Sequence, residues 1–292
     1  MGKQKRQSNQ AIHECISRNA QTIIQMYSEG QSTRVIGNYF GVSNTAISMC
    51  LHDHGIVIRP PHRLKEKVFN ENFFHDMETE TVTAQYQYYI LGLLLADGTN
   101  SLTHQTVTLS LQERDKDILE KIATVIDLHN DLQYINVQKY HPDMNCSNQY
   151  RMSLFSKALS EDLANLGMVP NKTVYLTFPE HIPETELPHF IRGFFDGDGC
   201  VSYSSDRVYI NFVGTVNFIE PLAQHIEMAT GIKGHVGHPK GKSDFIRTLA
   251  FSAKKDVARF LEFLYTGSLI HMNRKYEKAQ YILNNMNNLK GE

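Results

Sequence analysis

Ile191-Arg-Gly-Phe-Phe-Asp-Gly-Asp198-Gly199 repeats, with changes, an earlier stretch, Ile90-Leu-Gly-Leu-Leu-Leu-Ala-Asp97-Gly98. The two final aspartates lie 101 residues apart. Gly92 and Ala96 are four residues apart, as are Gly193 and Gly197. On a helix each pair of small residues shares one face and lets a second helix approach closely. Each helix would end at Asp-Gly. A carboxylate in a last turn opposes the helix dipole, and packing two such helices brings like charges together. Both effects cost free energy, and their occurrence twice points to bound divalent cations. Asp97 and Asp198 would then be hard oxygen ligands suited to magnesium. The plainer alternative is a pair of turn-forming Asp-Gly dipeptides. It accounts poorly for two copies, each behind a small-xxx-small apolar helix.

The same order of elements follows each copy. After the first come strands at 106–111, 134–140 and 150–155, with helices at 115–128 and 157–166. After the second come a strand at 207–213, a helix at 217–230, strands at 233–238 and 245–251, and a helix at 254–265. A repeat of this size predicts two similar α+β subdomains about a pseudo-twofold axis. Along residues 106–112, Val107, Leu109 and Leu111 point one way, and Thr106, Thr108, Ser110 and Gln112 the other. Along 134–140, Ile135 and Val137 face in while Asn136 and Gln138 face out. Any half-solvated antiparallel sheet shows this alternation. Its position after the repeated helix gives it weight, because the outward set offers donors and acceptors for base edges.

The chain has 292 residues, 41% of them hydrophobic and 21% charged, which fits folded domains and not a disordered chain. Its longest apolar stretch, 88–96, is far too short to span a bilayer. The polar start MGKQKRQSNQ carries no signal-peptide pattern. Four cysteines without a CxxC pair argue against a disulfide scaffold or a zinc ribbon, and point to a reducing, cytoplasmic or nucleoid-associated setting. The net charge of −2 is a poor footprint for a nucleic-acid binder. It hides an asymmetry: residues 1–67 hold nine Lys and Arg against four acids, net +5, and the remainder holds 20 against 27, net −7. Two parts with different jobs are the simplest reading.

Residues 19–29 put Ile23, Ile24, Met26 and Tyr27 at helical spacing, and Gly30 stops the helix. Ser32 caps a second helix with Val35, Ile36, Tyr39 and Phe40 as one stripe. Gly41-Val42 turns the chain, Ser43 caps a third helix, and Gly55 ends it. The pattern resembles a helix-turn-helix of the recombinase and phage-regulator type, although any three-helix bundle with a glycine turn would share it. In the DNA-reading case Asn44, Thr45 and Ser48 face the major groove, and Ala46, Ile47 and Leu51 pack inward. The following segment, with Arg59, Arg63 and Lys65 around two prolines, is either an extended phosphate-tracking arm or a solvated linker.

The paired segments resemble the signature of the LAGLIDADG homing endonucleases in the single-chain, two-copy form. Residues 190–199 are a near-ideal match and 89–98 a good one. The first copy departs at Leu95, where the signature's earlier aspartate would stand. The resemblance runs from about Tyr86 to Tyr276. It implies an α+β fold, αββαββα in each copy, with sheets that lie in the DNA major groove. It implies that Asp97 and Asp198 bind Mg2+ or another divalent cation and activate water for phosphodiester cleavage, one aspartate per strand. It also implies a basic residue near each scissile phosphate, for which Lys172 and Lys275 match the local pattern. Gln112 takes the place of a water-positioning residue, and its counterpart in the second copy reads as Val213.

The expected organisation is a helix-turn-helix domain at 1–58, a basic linker and lead-in at 59–85, and LAGLIDADG repeats at 86–180 and 181–292. The expected function is site-specific double-strand cleavage of DNA by a monomer that has no membrane partner. Alternatives are a non-cleaving DNA-binding regulator that keeps the fold, or an RNA-splicing maturase. The termini lack splicing junctions, which argues against an intein. Basic residues such as Lys139, Arg151, Arg207, Lys233, Lys240, Lys242 and Arg247 would have to gather on one DNA-facing side to offset the net negative charge of this region.

Overall fold

The structure, a computed structural model, describes residues 9–58, 69–137, 147–170, 172–204 and 207–285. The chain divides into two compact units, Met1–Lys65 and Glu66–Glu292. No helix among the described residues is long and apolar enough to cross a membrane.

The first unit is three helices: α1 (Asn9–Ser28), α2 (Thr33–Phe40) and α3 (Asn44–Asp53). Ser32 and Ser43 cap α2 and α3 through bonds from the backbone N–H groups of Val35 and Ala46. Gly41 ends α2 with φ 66°, a left-handed conformation that favours glycine. Ile23, Tyr27, Ile36, Ile47, Cys50 and Leu51 form the core. The expected stripe on α2 is only half right. A Cβ on Gly37 would lie 2.8 Å from the Val42 carbonyl oxygen, so the Ile36–Gly37 face is pressed against the turn. Val35, about 100° round the helix from Ile36, and Tyr39, about 60° round it on the same side, stand 53% and 72% exposed. Arg59, Arg63 and Lys65 lie outside the described residues.

The second unit is mixed α and β. It begins with α4 (Val82–Asp97), β1 (Gly98–Ser101), β2 (Thr106–Gln112), α5 (Lys116–Val125), β3 (Gln133–Ile135), β4 (Gln149–Phe155), α6 (Lys157–Asn165) and the short α7 (Lys172–Tyr175). It continues with α8 (Leu187–Asp198), β5 (Cys200–Tyr203), β6 (Val208–Thr215), α9 (Val216–Thr230), β7 (His235–Gly237), β8 (Ile246–Phe251), α10 (Lys254–Tyr265) and α11 (Asn273–Asn285). The strands make two antiparallel four-stranded sheets, β1-β2-β4-β3 and β5-β6-β8-β7, with the same order in each. The strand expected at 134–140 is shorter, and Gln138 and Lys139 lie outside the described residues.

The two repeated helices, α4 and α8, pack directly on each other. Small residues are required there. A Cβ on Gly92 would collide with the Phe190 carbonyl, and one on Gly193 with the Tyr89 carbonyl. The core spreads from this crossing to the inner faces of both sheets, through Leu93, Val107, Leu109 and Leu154 on one side and Phe194, Ile210, Phe212 and Leu249 on the other. Along β2 and β4 the outward row pairs Thr106 with Phe155, Thr108 with Ser153, and Ser110 with Arg151. On the second sheet it pairs Asn211 with Ala250 and Val213 with Thr248. Among the described residues, none of the strands contains an Asp or a Glu. The negative charge of this region lies on helices and connections.

Candidate active site

Asp97 and Asp198 are the last residues of α4 and α8. Because the small-residue faces bring the helix ends together, a Cβ on Gly197 would lie 3.0 Å from the Asp97 Oδ2. Solvent reaches both aspartates on one side. On the other side the packed helix ends desolvate them, and this raises both carboxyls above their usual range. Asp198 is pushed up to about 6, first by desolvation and then by Asp97. For Asp97 the same desolvation is opposed by Lys172, Lys275 and Arg274.

Both predicted lysines reach this place, by a route the sequence does not reveal. Lys172 Nζ donates to the carbonyls of Leu94 (3.0 Å), Leu95 (2.7 Å) and Ala96. Lys275 Nζ donates to the carbonyls of Phe195, Gly197 (3.4 Å) and Gly199 (2.5 Å). An ammonium has three protons, and each lysine directs its protons at the carbonyls around the end of its own motif helix, where backbone acceptors run short of intrahelical donors. The positive heads also oppose the negative end of each dipole directly beneath the aspartates. Burial pulls both lysines down to about 8, against the attraction of Asp198 and Asp97 on Lys172 and of Asp196 foremost on Lys275. The cluster is thus two carboxylates over two ammonium groups. Among the described residues, no group of three or more His, Cys, Asp or Glu side chains gathers as a metal cage.

Gln112 ends β2, exposed and paired with Gln149. Its counterpart is not Val213. The β5–β6 hairpin is one residue longer in each arm than β1–β2, so Leu109 corresponds to Phe212 and Gln112 to Thr215. Thr215 is buried and its Oγ1 donates to the Leu176 carbonyl.

The sequence reading missed a buried network behind the centre. Asp196 accepts from the hydroxyls of Tyr89 (2.8 Å) and Tyr265 (2.9 Å) and from the Met272 N–H (2.7 Å). Arg192, fully buried, donates to the carbonyls of Ile270 (2.9 Å) and Leu264 (2.8 Å) and faces His189 Nδ1 at 3.1 Å. Burial and the Arg192 charge hold His189 down at about 4, so it is neutral and can accept. A polar pair four residues apart inside an apolar motif was the available signal.

The remaining predicted residues that lie among the described ones are spread over both units. Asn44 and Thr45 are exposed on the first turn of α3, and Ser48 is half-buried. Thr106, Thr108, Ser110 and Arg151 share the outward face of the first sheet, where Arg151 Nε donates to Ser110 Oγ at 2.9 Å. Asn136 is exposed just beyond β3, and Arg207 just before β6. Arg247 is on the wrong face for the expected role. It pairs with Gly214, on the helix side of the second sheet, and its Nε lies 3.8 Å from Glu220 on α9. With Lys233 it lines a cavity of about 510 Å³ that also holds Glu227. The outward place in that row belongs to Thr248.

No family model matches the chain. A curated protein, the DNA-directed RNA polymerase subunit Rpo1C of Methanocaldococcus jannaschii, is 30% identical over 122 residues; these are 42% of this chain and only 13% of that protein. Among solved structures, the LAGLIDADG homing endonuclease I-LtrWI bound to target DNA is similar at 13% identity and a TM-score of 0.47, over 70% of this chain and 91% of that one. The homing endonuclease I-WcaI bound to its DNA recognition sequence is similar at 14% and 0.49, over 71% and 96%. Full-length DUF199/WhiA from Thermatoga maritima is similar at 13% and 0.44, over 74% and 66%.

Proposed function

We propose that this chain is a site-specific endonuclease that cuts both strands of DNA, with Asp97 and Asp198 as the metal-holding carboxylates. The observation that carries the reading is the meeting of these two aspartates at the ends of closely packed helices, beside two sheets whose strands hold no acid. On this reading a pseudo-twofold axis relates the two halves, and one chain supplies both half-sites as a monomer. The three-helix unit is a helix-turn-helix reader that offers Asn44, Thr45 and Ser48 to bases. Thr106, Thr108, Ser110 and Arg151 face the duplex from the first sheet, and Asn211 and Thr248 from the second.

The donor set fits a hard divalent cation. Two solvent-open carboxylates with raised proton affinity, over lysines that neutralise the helix ends, leave the outer positions to phosphate and water oxygens. When bound, such a cation activates water and neutralises charge on the phosphate and leaving oxygen. The chain's own contribution is placement. Asp97 and Asp198 fix the charge centre, Lys172 and Lys275 hold the helix ends beneath it, and the acid-free sheets orient the duplex without repelling it. Because their protons are directed at carbonyls, the lysines act as positioning residues and not as phosphate contacts.

A second reading, a DNA-binding regulator that does not cut, draws on the lack of a third acidic or imidazole ligand among the described residues. A plasmid library carrying randomised targets, incubated with magnesium, separates the two. Discrete double-strand cuts by the wild type, abolished by Asp97→Asn and by Asp198→Asn, are the expected result. Sequence-selective binding with no metal-dependent cut on any member would establish the regulator.

A further inference from the structure

Three consecutive residues at the start of α11 face three different ways. Asn273 Oδ1 accepts from Lys121 Nζ at 2.9 Å, and the same ammonium reaches the His271 carbonyl at 3.5 Å. Arg274 Nε donates to Asp115 Oδ1 at 2.7 Å. Lys275 turns back to the carbonyls that end α8. Lys121 is on α5, and Asp115 is the residue before it, so both belong to the first half of the unit. Lys275 and α8 belong to the second half. The tripeptide therefore joins the first half to the helix end beneath Asp198.

The coupling is built firmly and on one side only. Asp115 is 3% exposed, stands at the N-terminal end of α5 where a carboxylate is favoured, and has Arg114 Nε 3.9 Å from its other oxygen. In the second half the residue in the same capping place, just before α9, is Thr215, which carries no charge. In sequence the residue before Lys172 is Asn171, not arginine. The Lys172 segment is tied across by neutral bonds instead: Thr215 Oγ1 to the Leu176 carbonyl, and the Phe178 N–H to the Asn217 carbonyl at 3.1 Å.

We propose that Asp115 and Arg274 are a positioning pair through which the first half sets Lys275 against the carbonyls that end α8, so that the two halves of the centre are held unequally. This rests on the nuclease reading only in its consequence for cutting. The placement of Lys275 is a separate claim, and it is tested separately.

The test follows the side-chain ammonium signals of the full chain by proton–nitrogen NMR at mildly acidic pH. A buried ammonium held by carbonyls exchanges its protons slowly enough to be seen, and Lys172→Met and Lys275→Met assign the two signals. Asp115→Asn and Arg274→Gln are each expected to broaden the Lys275 signal beyond detection and leave that of Lys172 in place. The double variant should look like either single one. Retention of the Lys275 signal in both variants overturns the proposal, as does loss of both lysine signals together, which would mean general loosening. On a target recovered from the library, each variant is expected to slow cutting tenfold or more; cutting at the wild-type rate overturns the consequence for cutting. If the wild type cuts no library member while the NMR pattern holds, the nuclease reading falls and the positioning pair stands.

Discussion

The two halves of the second unit follow the same chain path but secure it differently. In the second half the connection from α10 to α11 is held by the motif helix, through Arg192 on Leu264 and Ile270 and Asp196 on Tyr265 and Met272. The matching motif positions in the first half are Leu91 and Leu95, both 1% exposed and purely apolar. There the connection after α6 is held from the sheet, by Asn100, whose Nδ2 donates to the carbonyls of Ser160 (2.9 Å) and Met168 (3.0 Å). A neutral amide does in one half what two separately bonded ionisable side chains do in the other. The difference matters because a buried charge that loses its partner costs more than a buried amide does.

The most damaging way to break this comparison is to strike what both halves share. Gly92→Ala or Gly193→Ala puts a methyl group into the partner helix's backbone, and overpacking of this kind costs about 3 kcal/mol or more. Urea unfolding should show both variants losing the second unit's cooperative transition or shifting it far down. A wild-type midpoint for either would mean that the helices are not in contact at these glycines.

The comparison is sharpened by cutting each half's own tie. Asp196→Ala leaves two tyrosine hydroxyls and the Met272 N–H without their acceptor in a buried place, a loss of about 3–5 kcal/mol at roughly 1–3 kcal/mol for each unsatisfied group. Asn100→Ala removes neutral bonds only and should cost about 1–3 kcal/mol. The double replacement Arg192→Leu with Asp196→Leu imitates the first half and should recover part of the Asp196 loss. Equal costs for Asp196→Ala and Asn100→Ala in denaturant titrations would erase the distinction.

The smallest effect concerns the aspartates themselves. The fold raises the Asp198 carboxyl from an ordinary 3.8 to about 6. As pH rises between these values the unfolded chain gives up its proton first, so stability falls through the window and levels off above it. Asp198→Asn has no such proton to lose. It should therefore be more stable than wild type above the window by about 1 kcal/mol, once solvent screening of an exposed group is allowed for, and the gain should vanish toward the acid end. Asp97→Asn should move the same way. Melting curves across pH check both, and a variant less stable than wild type at neutral pH contradicts the raised carboxyl.

What could be read from the sequence was local or periodic. The serine caps and the left-handed Gly41, the small-residue faces of the repeated helices and the alternation along β2 each depend on residues a few positions apart. What could not be read depends on distant partners. Asp196 looks like a local cap until Tyr89, Tyr265 and Met272 converge on it. Lys172 and Lys275 could be located from their surroundings, but the direction of their ammonium groups is set by helix ends about 77 residues earlier in the chain. The choice of Val213 as Gln112's counterpart failed because one extra residue in each arm of a hairpin moves the correspondence by two without changing the inward and outward pattern. Arg247 shows the opposite case, where a single step along a strand reverses the face.

The absence of acids from the strands, as far as their described residues go, has a further consequence, because those residues are nearly without cations too: among them, Arg151 and Arg247 are the only lysines or arginines. A protein surface displaces condensed counterions from a duplex in proportion to the phosphates it neutralises. Sheets built this way would displace few, and most of the entropy gained by counterion release would have to come from elsewhere, as from the net +5 of residues 1–67. On the proposed DNA-binding reading, separating the units would then divide the ionic-strength dependence as well as the chain: steep for the basic part and shallow for the sheets, whose grip on DNA would rest on uncharged hydrogen bonds.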